Sequence, residues 1–183
     1  MSMHIIYNRL GTGKTLLMTF FGAVTHAKRR DIYSNYEIGI PHKPVNSLDD
    51  LNDMRNGMFL WDDAYVWANS RRIKETKSIN MIFAKSRKRG IDIIWSTTRP
   101  SQVDINIRYN TAYAWIPQII LDKTTRIPIE LIARKYEFIP EGANDTEILG
   151  RLLNVIRIRG EVLKYVMEIY DTTEEIEEFA QPN

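Results

Sequence analysis

No cysteine occurs in the 183 residues. That absence excludes disulfides, zinc–thiolate centres and thiol nucleophiles, and it fits an intracellular setting. Histidine is scarce as well: His4, His26 and His42 are scattered and suggest no shared metal site. Long hydrophobic runs are lacking, since no apolar stretch approaches the ~20 residues that a membrane span needs. The beginning of the chain has neither the basic nor the apolar segment of a signal peptide, so the expected location is the cytoplasm. A strong charge of either sign is also missing. The 25 Lys and Arg against 23 Asp and Glu leave a net charge of +2, so any basic surface must be local. What remains is 44% apolar and 26% charged, ordinary for one soluble domain with a real core.

The most informative stretch is Asn8-Arg9-Leu10-Gly11-Thr12-Gly13-Lys14-Thr15-Leu16. It reads as a phosphate-binding loop between a short strand, His4 to Tyr7, and a helix starting near Lys14. The full pattern is a glycine, four residues, then Gly-Lys-Ser/Thr. Gly13, Lys14 and Thr15 match its end, while Asn8 stands at the first glycine position. After glycine, asparagine best tolerates positive φ, so Asn8 reads as a permitted variant. Gly11 and Gly13 let backbone N–H groups turn toward phosphate oxygens, and the helix N-terminus adds partial positive charge. Lys14 is suited to the β- and γ-phosphates of ATP, and the Thr15 hydroxyl to magnesium.

Leu17, Phe20, Phe21 and Val24 fall on one face of the helix that follows. Lys28, Arg29 and Arg30 close it, where cations suit the helix dipole. Ile32 to Ile38 reads as a second strand, and Ser47 with Asp50 as a capping box for a short helix over Leu48 to Arg55. Met58-Phe59-Leu60-Trp61 then reads as a buried strand ending in Asp62-Asp63. In open α/β sheets ligands bind at the carboxyl ends of strands. An acidic pair there, roughly fifty residues after a phosphate loop, suits the magnesium side of a nucleotide site. Asp62 is expected to hold the metal and Asp63 to polarise the attacking water. Trp61 and Trp67 read as packing residues.

A helix over Thr76 to Arg89 carries Lys85, Arg87, Lys88 and Arg89, either as a solvated face or as a source of an arginine for a neighbouring subunit's γ-phosphate. Ile91 to Trp95 is another core strand, ending in Ser96-Thr97-Thr98-Arg99-Pro100. Those hydroxyls either face the γ-phosphate or cap a helix. A short helix over Gln102 to Arg108 and a strand over Thr111 to Ile116 follow. Beyond them, Ile119 to Leu121 and Ile127 to Ile132 read as strands, Glu147 to Leu153 as a short helix, and Val155 to Arg159 with Val162 to Tyr170 as a hairpin.

Four motifs in order now permit a comparison: Leu10 to Thr15, Phe59 to Asp63, Lys85 to Gly90, and Ile93 to Pro100. Their order resembles that of the FtsK/HerA superfamily of DNA-pumping ATPases. Within it the chain is similar to the genome-packaging ATPases of viruses, especially archaeal ones, and to the ATPase domain of zonula occludens toxin-like phage proteins. The resemblance covers about residues 3 to 116. It implies an α/β, RecA-like P-loop NTPase fold, with a central, mainly parallel sheet flanked by helices and an extra strand between the phosphate-loop and Asp62 strands. A small C-terminal extension containing a β-hairpin is expected, with the core at 1–118 and the extension, packed on the same domain, at 119–183.

The same resemblance implies hydrolysis of ATP with Mg2+ in a ring, usually a hexamer, around double-stranded DNA, with a capsid or portal-like protein as a further partner. The cytoplasm would then be that of the host. Asp63 takes the place of the family's catalytic glutamate, Thr98 that of its strand-tip glutamine, and Arg87 or Arg89 that of a trans-acting arginine finger. Arg71, Arg72 and Lys74 are the expected DNA contacts. Asn8, the short Asp63 and the short Thr98 depart from the pattern and bear on hydrolysis more than on binding. The alternatives are a phage assembly or extrusion ATPase and a nucleotide-binding assembly protein with weak or no turnover.

Overall fold

The computed structural model describes residues 2–47, 49–68, 86, 88–140 and 147–170. Eight strands build one sheet: β1 (Met3–Tyr7), β2 (Asp31–Ser34), β3 (Lys43–Pro44), β4 (Gly57–Trp61), β5 (Asp92–Thr97), β6 (Tyr113–Leu121), β7 (Pro128–Pro140) and β8 (Glu147–Arg159). Their order across the sheet is β3-β2-β4-β5-β1-β6-β7-β8. Neighbours from β3 to β6 run parallel, and β7 and β8 add on antiparallel. β5 therefore lies between the phosphate-loop strand β1 and the Asp62 strand β4, as the resemblance implied.

The central strands are apolar on both faces because both are covered. On one face Ile5, Phe59, Trp61, Ile93 and Trp95 form a core with Trp67 and Ile107. Phe59 and Trp61 stack, with ring centroids 5.8 Å apart, and Trp67 tilts against Trp61 at 6.1 Å. Both tryptophans are buried packing residues, as their sequence context suggested. On the other face Ile6, Leu60 and Ile94 meet helix α1 (Lys14–Ala27). Short helices α2 (Asp50–Asp53) and α3 (Ile105–Tyr109) sit in the connections. Helix α4 (Gly160–Glu168) packs Leu163 and Val166 into the α1 side of the sheet.

Several expected elements differ. The buried positions of α1 include Leu16, Leu17, Met18 and Gly22, whereas Val24 is exposed. Leu17, Phe20 and Phe21 do pack on the core, and Gly22 lets the helix approach Leu60 closely; a Cβ there would meet the Leu60 side chain at 2.8 Å. The strand expected over Ile32 to Ile38 stops at Ser34, and Ile38 instead bridges to Tyr170. The capping box exists: the Ser47 N–H and hydroxyl donate to Asp50 at 2.8 and 2.9 Å, and the Asp50 N–H donates back at 3.3 Å.

The C-terminal part departs most. Glu147 to Leu153 is the start of β8, not a helix, and Val162 to Glu168 is helical, not half of a hairpin. The hairpin is instead β7 with β8. β6 runs unbroken through residues 118 and 119. No helix among the described residues is long and apolar enough to cross a membrane.

Candidate nucleotide site

Parallel pairing sets the site. Tyr7 pairs with Thr97 and Trp61 with Trp95, so the loops after β1 and β4 leave the sheet at the same end, either side of the β5 tip. The phosphate loop occupies residues 8–13. Gly11 and Gly13 have φ of 72° and 89°, the left-handed region that favours glycine. A Cβ on Gly13 would also lie 2.8 Å from the Ile119 side chain and 3.1 Å from Leu131. Ile119 of β6 and Leu131 of β7, both in the part read from sequence as a C-terminal extension, thus press against the loop. The first turn of α1 carries no acidic residue, which leaves its positive end open to an anion.

Asn8 does not take positive φ, so the conformational reason expected for it does not apply. It acts as a hook instead. Its Nδ2 donates to the Pro117 carbonyl of β6 at 2.8 Å, and its Oδ1 accepts from the Arg9 N–H at 2.8 Å. Leu10 is 83% exposed at the loop tip, and the Thr12 hydroxyl donates to the Arg9 carbonyl. Lys14 is buried, and its Nζ lies 3.3 Å from the same Arg9 carbonyl. Leu16 points into the core.

Across the cleft, the Thr15 hydroxyl donates to Asp62 Oδ2 at 2.6 Å. Asp62 Oδ1 accepts from the Ser96 hydroxyl, and from the Asp63 N–H at 3.1 Å. Asn35 brackets the Asp62 backbone, accepting from its N–H at 2.7 Å and donating to its carbonyl at 3.0 Å. The carboxylate is thereby held with one oxygen fixed and the other turned to Thr15. A hydroxyl beside an oriented carboxylate is a set of hard oxygen donors of the kind magnesium takes.

Asp63 has φ of 44°, a strained conformation held by its N–H donating to Ser96 Oγ as well as to Asp62. Burial and the neighbouring Asp62 carboxylate push its pKa up to about 6, against the opposing pull of the Lys14 ammonium.

Asn8, Lys14, Thr15, Asp62, Asp63 and the glycines thus gather at one end of the sheet. Thr98 lies one residue beyond β5, half-buried. Arg89 lies at the other end of β5, donating to the Leu51 carbonyl at 3.1 Å. Arg71, Arg72, Lys74 and Arg87 fall outside the described residues. The sequence placed Ser96 among the strand-tip hydroxyls without assigning it Asp62 as partner, and did not single out Asn35. The Ser96 contact was open to inference, because a Trp61–Trp95 register sets Asp62 beside Ser96. Asn35 was hidden inside a strand read too long.

Strand order, glycine-bearing loop and acidic strand tip together make this a P-loop NTPase fold. The N-terminal domain of zonular occludens toxin from Neisseria meningitidis superposes with a TM-score of 0.59 at 18% identity, over 93% of this chain and 98% of that one. The genome-packaging NTPase B204 from Sulfolobus turreted icosahedral virus 2, in complex with ATP-gammaS, gives a TM-score of 0.53 at 12% identity, over 82% and 96%. The DNA-packaging ATPase B204 from Sulfolobus turreted icosahedral virus gives 0.52 at 12%, over 84% and 98%. At such identities the likeness establishes the fold. No protein-family model matches the sequence, and no curated protein matches it significantly.

Proposed function

We propose that this chain is an ATP-driven motor that moves double-stranded DNA, of the viral genome-packaging kind, working as a ring, usually a hexamer. The observation that carries the proposal is the Thr15–Asp62 contact at 2.6 Å, beside Lys14, in a fold shared with a packaging NTPase solved with ATP-gammaS. ATP would lay its phosphates over the N–H groups of residues 11–15, with Leu16 adding its backbone N–H. Lys14 would swing from the Arg9 carbonyl to the β- and γ-phosphates. Thr15 and Asp62 are the residues suited to Mg2+, which would neutralise charge on the β- and γ-oxygens. Asp63 would take the proton of the attacking water as its oxygen bonds to the γ-phosphorus and the bond to the β-phosphate oxygen breaks. Thr98 would face the γ-phosphate. Arg87 or Arg89 would serve a neighbouring subunit, Arg89 only after leaving Leu51. Arg71, Arg72 and Lys74 would meet the DNA, and a capsid or portal-like protein would dock the ring.

A second reading, a phage assembly or extrusion ATPase, has its own support in the likeness to the zonular occludens toxin domain across 93% of this chain. A non-hydrolysing assembly protein is the third, motivated by Asp63 and Thr98. Steady-state turnover separates them. The motor requires ATP hydrolysis that rises with duplex DNA and falls on the order of 100-fold or more in Lys14→Ala. Tight ATP binding with no turnover under any condition sinks the motor in favour of the assembly protein.

A further inference from the structure

A cavity of about 460 Å3 opens at the other end of the sheet, between the end of α1 and the β2–β3 pair. Its lining is basic: His26, Arg29, Arg30, His42 and Lys43, with Ile32 and Pro41 as apolar wall. Asp31 is the one carboxylate on that lining among the described residues. It is engaged by Lys43 at 2.7 Å, and Arg30 is engaged by Asp92 at 2.7 Å. Arg29, also on the lining, has no ion pair among the described residues.

The backbone at Arg29 supplies a second, independent observation. α1 ends with the Arg30 N–H donating to the Thr25 carbonyl at 3.4 Å and the Arg29 N–H donating to the His26 carbonyl at 2.8 Å. This pairing places Arg29 in the left-handed position where helices normally use glycine. Arg29 does have φ of 57°. The fold alone favours a residue without a Cβ there, yet the chain carries an arginine, and that arginine is on the cavity lining.

We propose that this cavity is a second phosphate site, taking a nucleic-acid backbone phosphate or a free phosphate through Arg29, with His26 and Lys43 beside it. The test uses the full chain in a Lys14→Ala background, so that the phosphate loop contributes little and the result does not depend on ATP hydrolysis. A short labelled DNA duplex is titrated by anisotropy across a salt series, and inorganic phosphate is titrated separately by 31P line broadening. Arg29→Gly should raise the melting temperature by about 2–4 °C by relieving the left-handed strain. If the ligand is DNA, the same substitution should weaken duplex binding and reduce the log–log salt slope by about 0.9, one phosphate contact. If the ligand is free phosphate, line broadening is lost while the duplex is unaffected. Arg29→Gln, which keeps the Cβ and loses the charge, should lose binding equally. Unchanged binding of both probes in Arg29→Gly, or full binding in Arg29→Gln, overturns the proposal.

Discussion

Ser96 governs where the Asp62 carboxylate points. Its hydroxyl holds Oδ1, leaving Oδ2 for Thr15 and, on the proposed function, for Mg2+. Groups that orient a metal ligand typically matter by about 10–100-fold. Ser96→Ala should therefore raise the Mg2+ concentration for half-maximal ATP turnover by roughly that factor, while leaving metal-free ATP binding intact. An unchanged Mg2+ titration would show that Asp62 is oriented without Ser96.

His4 makes a separate residue-scale prediction. Its Nδ1 accepts from Trp115 Nε1 at 2.9 Å, so the neutral ring carries its proton on Nε2, which lies 2.6 Å from the Ser2 hydroxyl. Burial first, and then the Lys135 ammonium, lower its pKa from 6.5 to about 4. Between those values the unfolded chain binds a proton that the folded chain refuses. Stability should thus be full above pH 6.5 and fall by up to about 3 kcal/mol as pH drops toward 4. Denaturant melts across that range should show the slope, and His4→Gln should flatten it.

At the scale of elements, the strand ends away from the site are tied by Arg30, which donates to Asp92 and to the carbonyls of Gly57 and Gly90. This arginine, read from sequence as a helix-end cation, staples α1 to β4 and β5. Gly57 sits within this knot, and a Cβ there would strike the Asp31 carbonyl and the Tyr33 ring. Backbone cannot yield as a side chain can, so Gly57→Ala should cost about 1–3 kcal/mol in chemical denaturation. A cost near zero would mean that β2 and β4 pair more loosely than the register implies.

The sheet's centre was legible because β1, β4 and β5 are short, apolar and punctuated by Gly-Thr-Gly, Asp-Asp and Ser-Thr-Thr. The C-terminal strands were not. Ile148, Leu149, Leu152 and Leu153 follow helical spacing although they lie in β8. Val162, Leu163, Val166 and Met167 belong to a helix despite their β-branched content. In both, tertiary pairing overrides local pattern. The loop glycines and Lys14 were readable from one motif. The Asn8 hook and the Asn35 bracket were not, since their partners lie 109 and 27 residues away in sequence.

At the scale of the molecule, the two proposed sites lie at opposite ends of one sheet. Nucleotide chemistry gathers where β1, β4 and β5 end, and the basic cavity where β2 begins. The proposed motor would have to join hydrolysis at one place to movement of a polyanion at another, and a sheet packed on both faces is a suitable connector. The most direct measurement is ATP turnover by the full chain with Mg2+, side by side without nucleic acid, with single strands and with duplex, for wild type and Lys14→Ala. The wild-type chain should hydrolyse ATP fastest with duplex, and Lys14→Ala should be inactive in all three conditions. Wild-type rates in Lys14→Ala, or turnover indifferent to duplex, would contradict a DNA-driven phosphate-loop engine.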